Sequence, residues 1–196
     1  MACEAVPHQG LIMNQDAAAE ISRAEFAEND LFVRPAWYAL HTRSRHEKVA
    51  EDLLTRKKIE TFLPLRNIKR RWSDRVKEIS EPLFKGYVFV HAPLVRRVEI
   101  LQTKGVVRFI GFGRIPSTVS ENELNALRRF IDENIAVDPF PYLKEGERVV
   151  VRSGPFQGVQ GFLVCKKNKY RLVISLDLIT QSASIEIDSA AVEPLY

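Results

Sequence analysis

Two prolines fall within five residues in Asp138-Pro-Phe-Pro-Tyr142, and the hydrophobic period of the chain differs on either side of them. Upstream, apolar residues recur at helical spacing in several stretches, separated by short apolar or β-branched runs. From Lys144 onward the helical period is gone, and short β-branched runs alternate with turns. A chain that changes period across a stiff proline segment is expected to hold two small domains, and 196 residues are enough for two. The expected organisation is an extension over 1–34, an α/β domain over 35–131, a linker over 132–143 and a β domain over 144–196.

Residues 1–34 are weakly periodic and carry six acids against two bases, which reads as an extension with a helical turn near Ala17 to Ala27. Regular structure is expected to begin at Pro35, with Ala36 to Leu40 as a central strand. Ser44 and Glu47 have the S-x-x-E spacing of a capping box, opening a helix whose inward residues are Val49, Ala50, Leu53 and Leu54. Ile59 to Leu65 reads as the next strand, and Lys69 to Trp72 with Val76 to Ile79 flank Ser73-Asp74-Arg75 as a basic hairpin. Tyr87 to Val90 is a continuous apolar run, the mark of a buried strand. Pro93 can start a second helix, with Val95, Val98 and Leu101 or Ile100 facing inward. Val106 to Ile110 is a further strand and Gly111 to Thr118 a loop. Ser120 with Glu123 repeats the capping box ahead of Leu124, Leu127 and Ile131. This order predicts an α+β fold, a small antiparallel sheet with helices packed on one side.

The second half contains Arg148 to Val151, Val159 to Lys166, Tyr170 to Leu176, Ser184 to Ile187 and Val192. Five short strands in so short a stretch predict a small closed barrel, since closure removes exposed strand edges. Gly154, Gly158 and Gly161 lie where the chain must turn tightly between two such strands.

Several function classes are disfavoured. No apolar run approaches the ~18 residues of a membrane span, and the N-terminus lacks the order of a secretory signal, so a cytoplasmic location without membrane contact is expected. Cys3 and Cys165 are the only cysteines, too few for a zinc cluster or a disulfide framework, and Cys165 reads as a buried thiol. His8, His41, His46 and His91 have no evident nucleophile or metal partners, and no G-x-x-x-x-G-K-[ST] loop occurs, so neither enzyme activity nor a cofactor or metal is expected. Net charge is only +4, but residues 41–77 carry twelve Lys and Arg against five Asp and Glu. Such a block suits a polyanion partner, because phosphate contacts release counterions. It equally suits a solvated helix face beside a charged hairpin.

The segment RVVVRSGPFQGVQG at Arg148 to Gly161 resembles the KOW motif of NusG-type factors and of several ribosomal proteins. WYAL at Trp37 to Leu40, SEPLFKGYVFV at Ser80 to Val90 and LQTKGVVRFIGFG at Leu101 to Gly113 are similar to the NGN domain of NusG, in the same order. Across residues 35–196 the chain thus resembles a NusG-type transcription elongation factor. SEPLF at Ser80 to Phe84, Ser73-Asp74-Arg75 and the short linker are closer to the specialised RfaH and UpxY antiterminators.

That resemblance implies a ferredoxin-like NGN α/β sandwich followed by an SH3-like KOW β-barrel, with no catalytic activity. It implies a monomer that binds the β′ clamp helices of RNA polymerase through an apolar patch carried over to Trp37, Phe84, Tyr87 and Phe89. Aromatics alternating along a strand are usually core. Phe84 precedes the apolar run beside Lys85 and Gly86, which favours the surface for it, whereas Trp37 favours the core. Arg96 and Arg97 fall on the helix that faces the polymerase β gate loop. Arg43 and Lys104 fall where related factors meet non-template or upstream DNA, Thr103 sits beside Lys104 as a further candidate contact, and Arg45, Arg70, Arg71 and Arg75 add positive charge. His41, His46 and Trp72 could supply rings for base stacking, although ordinary packing explains each. For the barrel, resemblance implies a small-subunit ribosomal protein or Rho as partner, through Phe156, Leu172, Ile174, Leu176 and Ile179, about half of which must fill the barrel itself. RfaH can hold this domain as a helical hairpin, but the β-branched texture of RLVISLDLI and SIEI favours a stable barrel. A different class, an RNA- or ribosome-binding KOW module that does not bind polymerase, stays open at this point.

Overall fold

The computed structural model describes residues 32–71, 76–113, 115–133, 136–142, 146–166 and 169–195, except for the side chains of Arg70 and Lys166. Residues 1–31 of the expected extension, the tip of the hairpin and part of the expected linker therefore lie outside the described residues.

Strand β1 (Ala36–Thr42) is followed by helix α1 (Glu47–Arg56), β2 (Glu60–Phe62), and a ribbon of β3 (Leu65–Arg71) and β4 (Val76–Pro82). Then come β5 (Tyr87–Ala92), a 3-10 turn at Leu94–Arg96 running into α2 (Arg97–Leu101), β6 (Val106–Phe109), β7 (Gly111–Phe112), β8 (Ile115–Pro116) and α3 (Glu121–Asp132). The second half adds β9 (Asp138–Phe140), β10 (Glu147–Val151), β11 (Gln160–Lys166), β12 (Lys169–Leu176), β13 (Gln181–Glu186) and β14 (Val192–Pro194).

β1 and β5 form the middle of a four-stranded antiparallel sheet in the order β2-β5-β1-β6. Because side chains alternate across a strand, Trp37 and Ala39 point to one face and Tyr38 and Leu40 to the other. All four are buried, so both faces of the sheet must be covered. Trp37, Ala39 and Phe89 cluster with Leu124, Leu127 and Phe130 of α3. Tyr38, Leu40 and Val90 cluster with Ala50 and Leu54 of α1 and Ile100 of α2. The expectation of helices on one side is thus corrected to helices on both.

Four inward assignments also change. Val49 of α1 is exposed, and so are Val95 (62%) and Val98 (65%); Leu94 and Ile100 supply the buried positions of that segment instead. On α3 the fully buried third residue is Phe130 rather than Ile131. Neither capping box forms. His46, not Ser44, occupies the N-cap of α1, and Ser120 caps α3 without a side-chain hydrogen bond.

The expected loop over Gly111 to Thr118 contains the small β7–β8 hairpin. A Cβ at Gly111 would lie 2.1 Å from the Ile115 carbonyl oxygen, so only glycine permits this approach. Phe112, the next residue, is 91% exposed.

The second half forms one six-stranded antiparallel sheet in the order β14-β10-β11-β12-β13-β9. Among the described residues its hydrogen-bonded ladder is open, with β14 and β9 at its edges, rather than a closed barrel. β9 comes from the segment expected to be a linker, and pairs with β13 through Phe140 opposite Ser182 and Asp138 opposite Ser184. Pro139 is tolerated there because an edge strand leaves one row of its backbone donors unused. Cys165 is exposed rather than buried, near the outer end of β11.

Leu54 is fully buried while Val49, on the same helix, is 43% exposed. Leu54→Ala should cost roughly 2–5 kcal/mol in urea unfolding and Val49→Ala about 0.5 kcal/mol or less.

Candidate functional site

Three loops are tied together at the C-terminal end of β1. The amide of Thr42 donates to the Gly86 carbonyl at 2.8 Å, and that of Arg43 donates to the Gly105 carbonyl at 2.8 Å. The Gly86 amide in turn donates to the buried Glu47 carboxylate at 2.7 Å. Glu47, expected to cap its own helix, instead joins α1 to the loop before β5. Gly105 packs so closely on His46 that a Cβ there would meet its side chain at 2.9 Å.

These ties bring residues distant in sequence to one end of the sheet. Arg43 and Arg45 stand on the first loop, Lys85 on the second and Lys104 on the third, all exposed. Arg45 adopts a left-handed backbone (φ 61°), which turns the first loop into α1. Exposed Arg108 on β6 pairs across the sheet with His41 of β1. The outcome is a cationic rim of five residues. Lys85 and Arg108 were not among the expected nucleic-acid contacts, and their proximity to Arg43 comes from long-range pairing that leaves no local sequence signal.

Thr103 does not belong to this rim. It is 3% exposed, its hydroxyl donates to the Glu99 carbonyl at 3.2 Å and accepts from Lys57 Nζ at 2.8 Å. It joins the ends of α1 and α2 and offers nothing to a ligand. Arg96 is similarly engaged, donating to Glu99 Oε2 at 2.9 Å and to the carbonyls of Lys57 and Lys58. The paired guanidinium holds the Glu99 carboxyl below its usual range. Arg97 is half-buried between the exposed Val95 and Val98.

The aromatic patch divides. Phe84 is 1% exposed and sits in the core with Phe89 and Trp37, which corrects the surface expectation for Phe84 and agrees with the core reading of Trp37. The Pro64 carbonyl accepts the Leu83 amide, which fixes the SEPLF segment at the base of the ribbon and draws Phe84 inward. Tyr87 is half-buried, edge-on to His41 at 5.8 Å. The rim of Trp37 is closed by His91, stacked at 5.1 Å, and by the Arg128 guanidinium of α3, 4.6 Å from its ring centre. His91 and His46 are thus engaged, the latter bonded through Nδ1 to the Ser44 carbonyl.

The β3–β4 ribbon presents Lys69 and Arg71 to solvent, and its base is closed by Arg66 on Glu81. Arg70 lies on β3, while Trp72 and Arg75 fall outside the described residues.

In the second half, Leu172, Ile174, Leu176 and Ile179 are all buried, more than the half expected, as is Phe156. Phe156 packs edge-on against Phe130 of α3 at 5.1 Å, and Ile174 lines a cleft that α3 also borders. Those two residues are therefore covered by the first half of the same chain.

The described chain is thus an α/β sandwich with a cationic loop knot at one end, followed by an antiparallel β unit packed on its last helix. Residues 35–128 match the family model described as transcription termination factor NusG. The chain is 23% identical over 187 residues to the transcription termination/antitermination protein NusG of Borreliella burgdorferi, covering 82% of this chain and 98% of that protein. It is 28% identical over 166 residues to the NusG of Streptococcus pyogenes, covering 77% and 92%. Its fold is similar to that in the structure titled "Domain interaction in Thermotoga maritima NusG", with a TM-score of 0.50 at 19% identity, over 83% of this chain and 98% of that one. Residues 35–128 thus form a domain of the NusG family, and NusG proteins are similar to the chain over about four-fifths of its length.

Glu47→Ala leaves the Gly86 amide without its acceptor and loosens the loop knot. It should cost about 1–3 kcal/mol in thermal or urea unfolding, and amide exchange at Gly86 should quicken more than at Leu54.

Proposed function

We propose that this protein is a NusG-type elongation and antitermination factor, of the specialised RfaH/UpxY kind. In this reading an NGN domain over residues 35–131 grips the β′ clamp helices of RNA polymerase, and a KOW domain over 144–196 recruits a small-subunit ribosomal protein or Rho. The observation that carries it is the rim of Arg43, Arg45, Lys85, Lys104 and Arg108, joined at one end of the sheet by the Glu47–Gly86 tie and adjacent to half-buried Tyr87. Tyr87 would be the aromatic anchor presented to the clamp, with Phe84, Phe89 and Trp37 as its packed support. Arg97, flanked by the exposed Val95 and Val98, would carry the second contact with the β gate loop, while Arg96 holds that helix in place.

Non-template or upstream DNA would lie along the cationic rim, with Lys69 and Arg71 of the ribbon extending the field. The mechanism is a population shift: a factor that contacts both sides of the DNA channel favours the closed, active polymerase over its paused form. None of this requires bond chemistry, a cofactor or a metal. Phe156 and Ile174 could receive their partner only after α3 releases them, whereas Leu172, Leu176 and Ile179 would shape that surface from beneath.

Core polymerase should be retained by the immobilised protein and should pause less in its presence. Tyr87→Ala should weaken that binding by about 2 kcal/mol. Retention of ribosomal RNA but not of polymerase would replace this reading with that of an RNA-binding module. Arg43→Ala with Lys104→Ala should weaken single-stranded DNA binding and reduce its salt slope by about 0.7 per lost phosphate contact; an unchanged slope would remove the rim from the nucleic-acid site.

A further inference from the structure

Among the described residues, the two halves of the chain meet along α3. Arg129 of α3 donates through Nη1 to the Gln157 carbonyl at 2.9 Å and through Nη2 to the Pro155 carbonyl, gripping the turn between β10 and β11. Phe130 meets Phe156 beside that turn. Asp138 bridges Arg66 at 3.6 Å and Arg171 at 3.3 Å, tying the ribbon, β9 and β12 together. The clasp, the aromatic pair and the carboxylate bridge flank a buried apolar contact, in which Leu124, Leu127 and Phe130 share one core with Phe156 and Ile174.

Alongside the clasp runs a cleft of about 770 Å³, bordered by α3 on one side and by β10, β11 and β12 on the other. Two acids from opposite halves line it: Glu123 in the first turn of α3, and Asp177 just after β12. The other charged groups lining it are Arg129, committed to the two carbonyls, and Arg148 of β10; the remaining polar lining includes Gln160 of β11 and Ser175 of β12. Asp177 accepts a hydrogen bond from the Tyr142 hydroxyl at 2.9 Å. Among the described residues no ion pair reaches Glu123.

We propose that docking of the second half onto α3 is proton-linked: with the Glu123 carboxyl neutral the cleft stays closed, and its ionisation opposite Asp177 drives the halves apart. Burial, and secondarily the facing Asp177 carboxylate, push the Glu123 carboxyl up to about 7 in the closed form. In the open form Asp177 is remote and Glu123 is solvated, so its ordinary range near 4.5 returns. The sign follows from proton binding. The closed form binds the proton more tightly, so closure is favoured at low pH and weakens as pH rises through the closed-form value. Opening uncovers Phe156, Ile174 and the outer face of α3 together, making their exposure responsive to pH near neutrality.

Small-angle scattering and amide exchange on the full chain test this. The closed-to-open ratio should fall about tenfold between about pH 6 and about pH 8.5. Glu123→Gln, neutral at every pH, should remain compact throughout, while Asp177→Asn should move the transition to lower pH. Arg129→Ala weakens the clasp and should show the same pH response from a more open starting point. A compact wild type and a pH-independent Arg129→Ala variant together would overturn the proposal. So would a Glu123→Gln variant that follows the wild-type pH curve.

Discussion

The structure depends on the double burial of β1. Trp37 to Leu40 has no polar side, so each face of the central sheet requires a cover, and the rest of the first half supplies them. α1 and α2 close over Tyr38 and Leu40, while α3 closes over Trp37 and Ala39. Burial of such apolar faces is the main favourable term in folding, and it obliges α3 to return across the sheet after the β7–β8 hairpin. Since α3 has its inner face on Trp37 and Phe89, its outer face is left to receive the second half of the chain.

The cationic end of the sheet depends on that core in turn. Loops carrying Arg43, Lys85 and Lys104 would repel one another if free, yet the Gly86 and Gly105 backbone ties hold them side by side. The buried Glu47 carboxylate accepts the Gly86 amide inside this knot. Charge that is fixed by backbone geometry needs little reorganisation when a polyanion arrives, which is the condition for efficient electrostatic recognition.

The aromatics show how one residue type takes different roles within a few positions. Phe84 and Phe89 fill the interior, Tyr87 stands half-buried beside His41, and Phe112 is held out in solvent by a hairpin that only Gly111 allows. Trp37, large and close to the sheet margin, is sealed by a stacked His91 and a guanidinium rather than by aliphatic neighbours. Cation–π closure of this kind joins α3 to the sheet through Arg128, one residue before the Arg129 that clasps the second half. Packing of the first half and attachment of the second thus share one turn of one helix.

Local pattern in the sequence was enough for the alternation of strands and helices, the change of period near Asp138 and the spaced motifs of the NusG family, because these depend on neighbours within a few residues. Burial of Trp37 and of Val88 to Val90 was likewise legible from their apolar continuity. Tertiary structure decided what depends on distant partners. It sent Glu47 to Gly86 instead of to its own helix end and drew Phe84 inward. It engaged Thr103 with Lys57, made Asp138–Phe140 a strand on β13 and covered Phe156 with Phe130. A side chain's periodicity shows that it must be buried or exposed on some face, but only the assembled fold supplies the surface it meets.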